Sequence, residues 1–207
     1  MRVGRPLGVL AVTAVAGAGT AANRLGDVPL ASLAATPRAV GEGKLWLLVT
    51  SALLADTPWL PSLLGFAVAL AAVLYVLPLR QVVVAAVVGQ FASTLVVYGI
   101  VGGARLLDGH AFASVVDVQD FGLSAMIAAW IGAVACLAWA RHSHLRVVAG
   151  CLLCLGVGLA FRPTLTFLDS EHVVAFVLGA AVVRHPLARV VVPLRRAAAV
   201  AVAAVHN

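Results

Sequence analysis

"DFGLSAMIAAWIGA" occupies residues 120–133. It sets a carboxylate, a Gly-x-Ser triplet and an apolar run in that order. The run continues to residue 140, which makes it about 20 residues long, enough for a helix to cross the hydrocarbon core of a bilayer. Gly122 and Ser124 therefore fall in the first turn of an expected membrane helix. Apolar packing alone gives no reason for a small flexible residue and a hydroxyl at that place.

The rest of the chain identifies the solvent. Of 207 residues, 63% are hydrophobic and 11% charged, and the mean hydropathy is +1.08. Soluble domains carry about 25% charged residues. So much apolar surface needs lipid around it, and no sizeable soluble domain fits beside it. Apolar runs at 6–22, 59–79, 82–101, 121–140, 145–161 and 172–183 predict six crossings. A further apolar stretch at 45–55 is too short to span. It predicts an interfacial or re-entrant piece within the long first loop, residues 23–58. The sixth run is short before Arg184, so either that side chain snorkels or the bilayer thins. The expected fold class is an all-α membrane protein of one domain, residues 1–207. Its core covers about 5–185, followed by a basic cytoplasmic tail at 186–207. The first run has the basic start and small residues of a signal peptide, but the charge pattern requires it as a retained helix.

That pattern is one-sided. With six spans and the N-terminus inside, the inner segments hold nine arginines, among them Arg2, Arg80, Arg141 and Arg195, and no acid. The outer segments hold five basic residues and all eight acids. Basic residues favour the cytoplasmic side, and anionic lipid there attracts them. Both termini are thus expected in the cytoplasm. The pI of about 10.3 reports topology rather than nucleic-acid binding. Cys136, Cys151 and Cys154 all lie in apolar runs. They make no disulfide framework, and although Cys151 and Cys154 form a Cys-x-x-Cys, no His or further Cys stands at ligand spacing, so neither metal nor cofactor is expected.

In this topology the fourth and sixth helices both run from outside to inside. Ser124 begins the one and His172 begins the other, so a hydroxyl and an imidazole share one leaflet at similar depth. An ionisable residue within a span is a functional candidate, and a serine with a histidine base is the minimal nucleophile pair for acyl transfer. The competing account makes Ser124 a packing residue and His172 an interfacial one beside Glu171. Asp120 is placed to cap the helix that follows. Gln90, Ser93 and Thr94 lie at helical spacing on the third run, as hydrogen-bonding glue between helices.

The order and sidedness of these motifs resemble the rhomboid family of intramembrane serine proteases in its minimal bacterial six-helix form. "GLSA", with Gly122, Leu123, Ser124 and Ala125, is similar to the family's Gly-x-Ser-Gly nucleophile motif. "EHVVAFVLG", with His172, Ala175 and Gly179, is similar to its Ala-His-x-x-Gly-x-x-x-Gly motif on helix six. "GKLWLLVTSALLADTPWL" resembles the family's entry to helix two. The resemblance implies a six-helix bundle with a partly embedded first loop in a bacterial plasma membrane. It implies cleavage of transmembrane proteins near the outer face by a Ser124–His172 dyad, without cofactor. Gly122, Leu123 and Ser62 would support the oxyanion, and Ala175 and Gly179 would let helix six approach helix four. The chain departs from the family at helix two, where the oxyanion-binding His and Asn align with Pro61 and Gly65. That departure implies the alternative of an inactive rhomboid-like pseudoprotease that binds or escorts membrane clients. A channel or transporter is a third reading, disfavoured because no charge is expected in the middle of a span.

Overall fold

The computed structural model describes residues 4–26, 28–55, 58–141 and 167–184. Among them every regular element is helical. Helix α1 spans Gly4–Arg24. The first loop carries a 3-10 turn at Leu30–Ser32, then the short helices α2, Pro37–Gly41, and α3, Trp46–Ser51. The longer helices α4, Trp59–Val76, α5, Leu79–Leu107, α6, Ser124–Arg141, and α7, Phe167–Arg184, follow. Of the described helices, α4 and α5 are long and apolar enough to cross a membrane. The fifth apolar run, Cys151, Cys154 and the basic tail lie outside the described residues.

Proline sets the break between α4 and α5. The ring of Pro78 forces the preceding residue out of helical geometry, and Leu77 is extended at φ −108° and ψ 150°. Helix α5 restarts at Leu79 and runs to Leu107, six residues past the apolar run read from sequence. It contains a wider π turn at Val88–Ala92. The 45–55 stretch forms only the six residues of α3, about 9 Å of helix, which cannot cross a bilayer. Its two sides differ: Leu47, Leu48 and Ser51 are buried, while Trp46 and Val49 are exposed.

The sixth run differs from the sequence expectation. Helix α7 begins at Phe167, not near His172, and covers 18 residues. Asp169, Ser170 and Glu171 are helical residues rather than an external loop. An acid in the first turn, here Asp169, suits the positive end of the helix dipole, so the polar sequence before His172 extends the helix.

Two kinds of contact hold the bundle. Around α4 the filling is bulky and apolar: Phe66, Leu70 and Val73 meet Val82, Trp130 and Ala133 in one buried cluster. The rings of Phe66 and Trp130 lie 5.5 Å apart and tilted by 32°, within the range of favourable aromatic pairs. The Trp130 indole N–H donates to the Val82 carbonyl at 2.9 Å. The opposite side of α4 is also apolar, with Leu64, Val68 and Tyr75 exposed, as expected of a helix surrounded by lipid. Between α6 and α7 the contact is made by small residues instead. Ala125, Ala129 and Ala175 form a buried cluster. A Cβ on Gly179 would overlap the backbone of Ala129, and one on Gly132 would overlap that of Phe176. Gly89, in the π turn, meets Ala129 in the same close way. Three helix backbones therefore converge where only glycine and alanine fit.

Candidate active site

The approach to Ser124 is fixed before α6 begins. Thr36 caps α2 by accepting from the Ala39 N–H at 3.0 Å. Ala35 then exchanges two backbone hydrogen bonds with Asp120, at 3.0 and 2.8 Å. The Arg38 guanidinium holds Asp117 through both carboxylate oxygens, at 2.6 and 2.9 Å, and keeps its carboxyl below the usual carboxylate range. The Gly122 N–H donates to Ser51 at 3.0 Å. So α2, α3 and their flanks clamp residues 116–122. Gly122 then turns at φ +128°, a conformation that side-chain-bearing residues rarely adopt. Ser124 follows as the first residue of α6, with its side chain exposed.

Helix α7 brings His172 to this point. The His172 Nε2 lies 2.8 Å from the Ser124 Oγ. With Nδ1 protonated and Nε2 free, the imidazole accepts the serine proton, the arrangement of a nucleophile and its base. The small-residue contact sets this distance. Ala175 is fully buried, and Gly179 rests on the Ala129 backbone.

A buried polar group lies directly behind the pair. Glu171 is only 3% exposed and Asp120 7%. The Glu171 Oε1 accepts from the Ser93 hydroxyl at 3.3 Å and from the Thr94 hydroxyl. The Tyr98 hydroxyl donates to the Asp120 Oδ2 at 3.0 Å. Thr94 and Tyr98 stand one turn apart on α5, so the two carboxyl groups they hold lie side by side. Burial pushes the Asp120 carboxyl above its usual range. Asp120 is therefore not the cap of α6; its side chain turns to Tyr98 on α5. Glu171 is not a solvated loop acid; it is buried near the start of α7 rather than in mid-span. Sequence reasoning placed Gln90, Ser93 and Thr94 on an interior face, and all three are buried. It missed their partner. The Ser93 and Thr94 hydroxyls also reach the Gly89 and Gln90 carbonyls one turn back, so the polar stripe in sequence carried no demand for a partner beyond its own helix.

The other candidate residues are spread more widely. The Leu123 side chain is buried in the apolar cluster with Phe66 and Trp130. The Ser62 hydroxyl donates to the carbonyl of Pro58, the residue before its own helix, at 3.0 Å. Pro61 and Gly65 are exposed, and a Cβ on Gly65 meets nothing within 4 Å. The side of α4 that enters the bundle presents Leu63 and Phe66 instead. Compared with family models, with curated proteins and with solved structures, the chain matches none.

Proposed function

We propose that the chain is a rhomboid-like intramembrane serine protease, a six-helix bundle with both termini cytoplasmic in a bacterial plasma membrane. The observation that carries this reading is the 2.8 Å approach of His172 Nε2 to Ser124 Oγ at the start of a largely apolar helix. His172 takes the hydroxyl proton as Ser124 Oγ attacks a peptide carbonyl of a transmembrane client. The tetrahedral intermediate collapses, and His172 returns the proton to the leaving amine. Water, activated by the same imidazole, then releases the acyl group. The negative oxygen of the intermediate falls near the N-terminus of α6. There the first backbone N–H groups have no carbonyl one turn back, and the dipole favours an anion.

One observation favours the alternative of a client-binding pseudoprotease. The side of α4 toward the bundle is apolar at Leu63 and Phe66, so no side-chain donor from that helix serves the oxyanion. Removing one such donor typically slows an acyl transfer about 10²–10³-fold, which depletes catalysis without abolishing it. A fluorophosphonate probe separates the two readings. The protease reading expects covalent labelling of Ser124 in membranes, lost in Ser124→Ala and strongly slowed in His172→Ala. A wild-type chain that stays unlabelled at Ser124 supports the escort reading.

A further inference from the structure

Two carboxylates that are both ionised are acceptors only and cannot hydrogen-bond to each other. Asp120 and Glu171 are both buried, and their partners Tyr98 and Thr94 stand one turn apart on α5, which brings the two carboxyls side by side. A proton shared between them removes the repulsion of two buried like charges. The contacts say how the pair is held. Glu171 is held through Oε1 by Ser93 and Thr94, and Asp120 through Oδ2 by Tyr98. The two acids flank the dyad in sequence. Glu171 immediately precedes His172, and Asp120 lies four residues before Ser124. The backbone of Asp120 is itself pinned to Ala35.

We propose that Asp120 and Glu171 form a proton-sharing clasp, anchored on Ser93, Thr94 and Tyr98 of α5, that positions His172 against Ser124. Both are positioning residues, since neither touches the reacting atoms. The proposal rests on the dyad proposed above, whereas the clasp itself is a property of the fold. The titratable groups facing it are Tyr98 from α5 and His172 from α7, and Asp169 also acts on His172. A clasp that needs its proton opens when alkali removes it, because two buried like charges then repel.

Glutamine mimics the protonated acid: its carbonyl accepts from Thr94 and its amide donates to Asp120. The full chain in lipid vesicles should show the infrared carbonyl stretch of a protonated carboxylic acid at neutral pH. The band should persist in Ser124→Ala and vanish in both Glu171→Gln and Asp120→Asn. Fluorophosphonate labelling should be slowed on the order of 100-fold in Glu171→Ala, the scale of a misplaced reacting group. It should stay within a few-fold of wild type in Glu171→Gln, without the wild type's alkaline decline. A missing band at neutral pH, or one that survives both amide substitutions, overturns the clasp even if Glu171→Ala fails to insert. Labelling of Glu171→Ala at the wild-type rate overturns its positioning role. A wild type that shows the band but no labelling of Ser124 overturns the protease reading and leaves the clasp standing.

Discussion

The two faces of α6 are built differently. Toward α4 and the start of α5 it presents Trp130 and Ala133 to Phe66, Leu70 and Val82, and large side chains fill the space. Toward α7 it presents Ala125 and Ala129 to Ala175 and Gly179, and the backbones nearly touch. Bulky contacts keep helix axes apart and tolerate modest repacking. Small contacts fix the axes and leave no slack. The dyad sits at the end of the second kind, so its geometry follows from backbone approach rather than from side-chain filling. Where hydrocarbon lies outside the bundle there is little hydrophobic gain in joining helices, and close packing with interhelical hydrogen bonds takes its place.

The sharpest way to break that contrast is to add carbon at each face. Gly179→Val drives a side chain into the Ala129 carbonyl, which cannot rotate away. It should cost about 3 kcal/mol or more, the upper end for overpacking, and abolish Ser124 labelling. Gly65→Val, into open space on α4, should change neither. Unfolding of vesicle-reconstituted protein in denaturant, read beside labelling, checks both variants. Equal effects would remove the distinction between the faces.

Removing carbon tests the bulky face. Phe66→Ala should destabilise by about 2 kcal/mol, less than the roughly 3–5 typical of aqueous cores, because lipid also solvates the ring when the bundle comes apart. Labelling of Ser124 should survive. Trp130→Phe keeps most of the ring and loses the hydrogen bond to Val82. It should cost about 1 kcal/mol in the same assay.

The smallest effect lies outside the bundle. Arg38 holds Asp117 below the usual carboxylate range, so this pair contributes stability above the unfolded carboxylate's pKa. The contribution disappears as pH falls through the lowered folded value. Both side chains are exposed, and exposed pairs count for little. Arg38→Gln should leave stability at neutral pH almost unchanged and flatten its dependence only at acid pH, as seen in denaturation midpoints across that range.

The parts of this structure that were legible in sequence are those written in local pattern. The apolar runs marked the long helices, although the 59–79 run passed through Pro78, where the structure breaks. The length of 45–55 forbade a crossing. Gly122, Ser124 and His172 stood out because each is small or polar where an apolar helix needs no such residue, while Ala175 and Gly179 were singled out only by the resemblance to a family motif. Glu171 was not legible. An acid beside Asp169 and Ser170 has the composition of a loop, and only the rotation of α7 against α5 reveals that Ser93 and Thr94 receive it. Asp120 failed for the same reason. Its position four residues before Ser124 suited a cap, and its true partner, Tyr98, is 22 residues away along the chain. The inward register of α4 was also hidden, since a strongly apolar helix with apolar residues on every side carries no sign of which face meets its neighbours.

The account stands or falls on Ser124 as a nucleophile, and the direct test is cleavage of a transmembrane substrate in proteoliposomes. Wild type should cut the substrate near its outer end. Ser124→Ala and His172→Ala should each abolish the cut while remaining inserted and folded, and the double variant should be no worse than either single one, because the two side chains act as a unit. Cleavage by Ser124→Ala at the wild-type rate would contradict the account.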